Sequence, residues 1–94
     1  MTEFELVPGR KIADIKIYAL STCGWCKRAK KFFDEHGIEY SYIDMDQVPQ
    51  EHVGPIRAEQ QKFNPRGSFP TIVINDSKCI VGYNEQQLAE LAGE

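Results

Sequence analysis

Cys23-Gly24-Trp25-Cys26 sets two thiols directly after the apolar run Ile15-Lys16-Ile17-Tyr18-Ala19-Leu20, at the start of a long amphipathic stretch. A strand ending there in a short turn would deliver the first sulfur to a helix N-terminus, where unpaired backbone N–H groups and the helix dipole favour an anion. Residues three apart on a helix share a face, so a disulfide between these thiols could form and reopen with little backbone movement. The chemistry that suits this pattern is thiol–disulfide exchange, whose nucleophile is a thiolate. A free cysteine ionises near about 8.5, whereas Cys-x-x-Cys sites reach about 3.5–7.5. Cys23 is therefore predicted as the low-pKa nucleophile and Cys26 as the more buried resolving thiol, with Lys27 as electrostatic support. Gly24 lets the chain turn tightly and a substrate approach. Trp25 and Tyr83 are expected as apolar walls around the sulfurs.

The elements that must position these residues follow from pattern. Ile15 to Leu20 is apolar on both faces apart from Lys16, which suits an interior strand covered on two sides. From Trp25 the apolar positions Ala29, Phe32, Phe33 and His36 keep a helical period that stops at Gly37, with Lys27, Arg28, Lys30 and Lys31 on the solvated face. Glu39 to Met45 reads as a second strand, with Tyr40, Tyr42 and Asp44 on one side and Ser41, Ile43 and Met45 on the other. Between Asp46 and Phe63 a helix is expected to start near Pro49 or Pro55 and to end at Asn64-Pro65, with Ile56, Gln60 and Phe63 as its sparse periodic positions. Thr71 to Ile74 and Cys79 to Val81 form a hairpin about the turn Asn75-Asp76-Ser77-Lys78. Asn84 and Gln87 resemble a capping box for a last helix whose apolar side is Leu88, Leu91 and Ala92. Residues 1–14 are the least readable part, either an accessory strand, the reading preferred here, or a tail. The α/β alternation predicts a mixed four-stranded sheet with helices on both faces and Cys23 at its carboxyl edge.

The 94 residues suit one domain spanning 1–94, and the hydrophobic share of 41% is that of an ordinary globular chain. Eleven Lys and Arg against fourteen Asp and Glu, with no long basic run, argue against a nucleic-acid partner. No apolar run approaches the roughly 20 residues needed to span a bilayer, and the start Met1-Thr2-Glu3-Phe4-Glu5 lacks the apolar region of a secretory signal, so a cytoplasmic monomer away from membranes is expected. Three cysteines do not make the framework of a small secreted domain. Cys79 reads as core packing, and His36 and His52 as surface or capping residues.

With these residues in place the chain resembles the glutaredoxin branch of the thioredoxin-fold family. The resemblance rests on Ser21-Thr22-Cys23-Gly24-Trp25-Cys26 after the first strand, Ser68-Phe69-Pro70-Thr71 before the third, and Val81-Gly82-Tyr83-Asn84 before the last helix, in that order. It implies a cis Pro70 against the cysteine pair and a Phe69 backbone that pairs with an extended substrate. It also implies substrate contacts at Thr22, Gly24, Trp25, Gly82, Tyr83 and Asn84. The chain departs from the common pattern in its Gly24-Trp25 spacer, in Tyr83 where a second glycine is usual, in the Asn84-Glu85 cap, and in lacking a basic residue just before Cys23. The resemblance implies a dithiol oxidoreductase acting on a disulfide-containing protein or small thiol substrate. No organic cofactor is tightly bound on this reading. Its electrons come from glutathione, another low-molecular-weight thiol, or a thioredoxin-reductase-type enzyme. A different class of reading is a metal-binding protein, in which Cys23 and Cys26 hold an iron–sulfur cluster shared between two protomers; a complete zinc site within one chain is not expected.

Overall fold

The computed structural model of the chain describes residues 4–93; Met1 to Glu3, which open the segment read as an accessory strand, and Glu94 lie outside the described residues. In chain order the elements are β1 (Glu5–Val7), β2 (Ile15–Ala19), α1 (Gly24–Glu35), β3 (Tyr40–Asp44), a short 3₁₀ turn (Met45–Gln47), α2 (Gln50–Phe63), β4 (Thr71–Ile74), β5 (Lys78–Val81) and α3 (Glu85–Leu91). The strands form one mixed sheet in the order β1-β3-β2-β4-β5. β2 and β3 are parallel, as an intervening helix requires, and β4 runs antiparallel to both β2 and β5. The accessory strand exists: β1 pairs antiparallel with β3, and the Tyr42 hydroxyl donates to Glu5 at 2.7 Å.

Both faces of the sheet are covered, which explains why β2 shows no polar alternation. Ile15, Ile17 and Ala19 of β2 join Ile72 and Ile74 of β4 beneath Cys26, Ala29, Phe32 and Phe33 of α1 and Leu88 of α3. Tyr18, Ile43 and Val73 point the other way, where Val53, Ile56 and Phe63 of α2 close over them. That requirement settles the start of α2. Pro49 is its N-cap and Pro55 lies inside it on the exposed side, so that both Val53 and Ile56 reach the sheet. Among the described residues no helix is long and apolar enough to cross a membrane.

Two glycines and one hairpin fix the connections. Gly37, at φ +64°, ends α1 as its left-handed residue. Gly9 is needed for proximity, because a Cβ there would lie 2.8 Å from the Glu39 nitrogen and the Gly37 oxygen, where the Arg10 N–H donates to the Gly37 carbonyl at 2.7 Å. Asn75 and Asp76 both sit at φ +53°, a conformation these short polar residues tolerate, and β5 begins one residue earlier than expected, at Lys78.

One sequence expectation is corrected. Lys30 is not on the solvated face of α1: its Nζ lies 2.9 Å from Asp44 and 4.1 Å from the centre of the Tyr42 ring, with the Lys30 and Asp44 side chains only 19% and 18% exposed. The cause is the sheet, since Tyr42 and Asp44, two apart on β3, share a face.

Candidate active site

β2 ends at Ala19, and the next four residues turn the chain into α1, the Cys23 N–H donating to the Leu20 carbonyl at 3.1 Å. Asp46 holds this turn from outside. It accepts the Ser21 N–H at 2.8 Å and the Ser21 hydroxyl, and these two bonds bring its carboxyl down to about 2. Cys23 is the N-cap of α1, where the helix leaves its first N–H groups without carbonyl partners. The sulfur fills the role a cap oxygen usually has, accepting the Cys26 N–H at 3.2 Å. An anionic sulfur accepts such a bond more strongly than a neutral one.

The two thiols differ in surroundings as expected. Cys23 is half-buried, whereas Cys26 has no exposed surface and belongs to the apolar cluster under α1. Burial, above all, pushes the Cys26 thiol up to about 12. The hydrogen bond with Cys23 adds to this, as does the Cys23 charge, against a smaller lowering by the Leu20 backbone and by Lys30. The cation acting on Cys26 is Lys30, one turn further along; the Lys27 side chain is exposed, and its backbone N–H donates to the Cys23 carbonyl at 3.1 Å.

The other predicted residues gather on the same end of the sheet. Thr22 and Gly24 are exposed on either side of Cys23. Trp25 is 57% exposed and stacks on Tyr83, centroids 6.0 Å apart and planes at 22°, with the Arg28 guanidinium 5.4 Å from the Trp25 ring. The two aromatic walls are therefore one continuous wall capped by a cation. Phe69 is half-buried and rests on the same core cluster as Cys23 and Tyr83. The Phe69–Pro70 peptide is cis, and the Pro70 carbonyl accepts the Gly82 N–H at 2.8 Å, which ties the second motif to the third. Asn84 caps α3 through the Gln87 N–H at 3.0 Å.

Cys79 lies away from this cluster, half-buried on β5, and burial raises its thiol. Among the described residues no group of three or more His, Cys, Asp or Glu converges as metal ligands would. From the sequence alone Asp46 has no role and Lys30 sits among the solvated lysines, because their partners are 25 and 14 residues away, and no chemistry is assigned to Gln60 and Asn64. The only signal for Gln60 was a polar residue at a periodic helix position.

A family model described as Glutaredoxin matches residues 15–79. Methanoredoxin of Methanosarcina acetivorans has a similar structure, with 38% identity, a TM-score of 0.87, and coverage of 92% of this chain and 90% of that one. A glutaredoxin of Methanosarcina mazei Go1 shows 35% identity and a TM-score of 0.87 over 99% of this chain and 90% of its own. An uncharacterised glutaredoxin-like 8.6 kDa protein of the rubredoxin operon of Clostridium pasteurianum is 30% identical over 77 residues, 82% of this chain and 95% of the relative.

Proposed function

The chain belongs to the glutaredoxin family, and from that membership we propose that it is a thiol–disulfide oxidoreductase working through Cys23 and Cys26. The observation that carries the reading is the asymmetry of the pair: one sulfur is reachable and faces a backbone N–H, and the other is sealed and kept protonated. The Cys23 thiolate attacks one sulfur of a substrate disulfide, the S–S bond breaks, and the departing thiolate takes up a proton. The product is a mixed disulfide between Cys23 and the substrate. Cys26 then loses its proton and attacks the Cys23 sulfur, releasing the second substrate thiol and leaving a Cys23–Cys26 disulfide. Two electrons have passed to the substrate, and an external thiol or reductase returns them.

The order of the steps has a physical cause. Part of what holds Cys26 protonated is the hydrogen bond and charge of Cys23. Both vanish once Cys23 is in a mixed disulfide, while the opposing influences of the Leu20 backbone and Lys30 remain. Cys26 thus becomes easier to ionise only after its partner has reacted, which protects the reduced pair from idle oxidation. The exposed Trp25–Tyr83 wall and the Phe69 backbone supply the substrate surface. Three cysteines, two of them in one Cys-x-x-Cys motif, suit a reducing, cytoplasmic setting better than the disulfide framework of a small secreted domain.

The test is a coupled assay in which oxidised protein is offered glutathione, other small thiols and a flavin reductase in parallel, with disulfide reduction followed for wild type, Cys23→Ser and Cys26→Ser. Wild type turns over with at least one donor, Cys23→Ser is inactive, and Cys26→Ser stalls as a mixed disulfide with a protein substrate. Turnover surviving in Cys23→Ser would refute the assignment.

A further inference from the structure

Beneath the loop that leads into β4, the α2 side of the sheet is unexpectedly polar. Gln60, Asn64 and Thr71 are 0%, 3% and 0% exposed. Burying such groups without partners is costly, because each loses its hydrogen bonds to water. Here they are joined into one network. The Thr71 hydroxyl donates to the Ser68 carbonyl at 2.8 Å and accepts from the Gln60 amide at 3.1 Å and the Asn64 amide at 2.9 Å, which uses its one donor and both acceptor positions. The Gln60 amide also reaches the Ser68 carbonyl at 3.1 Å, and the Asn64 amide the Ser68 hydroxyl at 3.1 Å. Arg57 donates to the Gln60 side-chain oxygen at 3.2 Å, and its guanidinium lies 5.2 Å from the Phe69 ring centre.

The network converges on one carbonyl, that of Ser68. In a trans peptide the C=O and the N–H point in opposite directions, and Ser68–Phe69 is trans. Drawing the Ser68 carbonyl towards α2 therefore turns the Phe69 N–H away from α2. That N–H has no backbone acceptor among the described residues, and the β4 ladder begins only at Thr71. Because Thr71 pairs with Tyr18, Phe69 lies beyond the end of β2, on the side where the turn to Cys23 begins.

We propose, resting on the disulfide-exchange reading above, that Gln60, Asn64 and Thr71 are positioning residues. They fix the Ser68–Phe69 peptide so that the Phe69 N–H is presented to the main chain of a peptide-borne disulfide, and thereby favour protein disulfides over small ones that have no peptide backbone. A network serving only the fold would affect both substrate types alike.

Thr71→Val keeps the shape of the residue and removes the hydroxyl. With a disulfide-linked peptide as substrate, its kcat/KM is expected to fall about tenfold, mainly through KM, the size of one lost orienting contact. With bis(2-hydroxyethyl) disulfide it stays within about twofold of wild type. Thr71→Ser restores the peptide value, and Gln60→Met, a second variant should Thr71→Val fail to fold, gives the same split. Equal losses on both substrates, or none on either, would overturn the proposal. A wild-type protein inactive on both would instead overturn the exchange reading beneath it, and this proposal with it.

Discussion

Selective alkylation tests the physical basis of the site most directly. In the reduced protein, iodoacetamide reacts with thiolates in proportion to their population and access. Cys26 is pushed from 9.0 up to about 12 and has no exposed surface. At pH 8 a thiol ionising at 9 is about one-tenth thiolate, and one ionising at 12 about one ten-thousandth. Ionisation alone thus slows Cys26 about a thousandfold relative to an unstructured peptide, before burial is counted. Cys23, half-buried with its sulfur facing the α1 start, is modified first. The assay is a time course at several pH values, quenched and digested, with each cysteine-bearing peptide quantified by mass spectrometry. Cys26 labelling stays negligible through pH 9 and rises only as the solution approaches pH 12. In Cys23→Ser it remains slow, because burial is the larger cause of its raised value. Cys26 modified within tenfold of the peptide control at pH 8 would refute the reasoning, as would Cys26 reacting before Cys23.

Three further outcomes follow from the rest of the structure. Lys30→Met leaves Asp44 largely covered and unpaired, so urea denaturation should record a loss of about 1–2 kcal/mol, below the cost of breaking a fully buried pair because both groups keep about one-fifth of their exposure; the double variant with Asp44→Leu recovers part of it. Asp46 titrates near 2 in the folded chain against 3.8 unfolded, so its contribution is complete above about pH 5 and is lost as pH falls towards 2; Asp46→Asn should lower stability at neutral pH and flatten that part of the acid-unfolding curve, the two proteins converging near pH 2. Gly9→Ala forces a Cβ to within 2.8 Å of the 37–39 backbone, and thermal or chemical denaturation should show about 1–3 kcal/mol of destabilisation.

The features legible in the sequence are those whose causes are local. The strand-to-helix junction at Cys23, the Gly37 stop, the Asn84 cap and the hairpin turn at Asn75-Asp76 each depend on neighbours within a few residues. α2 was ambiguous because two prolines each permit a first turn, and the choice between them is made by the apolar surface of Tyr18 and Ile43, distant in sequence. Lys30 looked like its lysine and arginine neighbours on α1 because only the placement of β3 supplies Asp44. Gln60 and Asn64 were unreadable for the same reason: a buried amide betrays itself only when its acceptors are known, and these lie on Ser68 and Thr71, across the turn that follows the helix.

β1 is three residues long, yet it changes what the molecule presents to its neighbours. Without it, the outer side of β3 would offer a row of bare amides and carbonyls, a template on which another chain could add itself. With it, that frontier shrinks to a short ribbon carrying an outward carboxylate, Glu5, engaged with Tyr42. The ribbon is too brief for a stranger to stitch onto, and it stands on the opposite flank of the sheet from β4 and β5, far from the loop through which the sulfur chemistry would receive its guests.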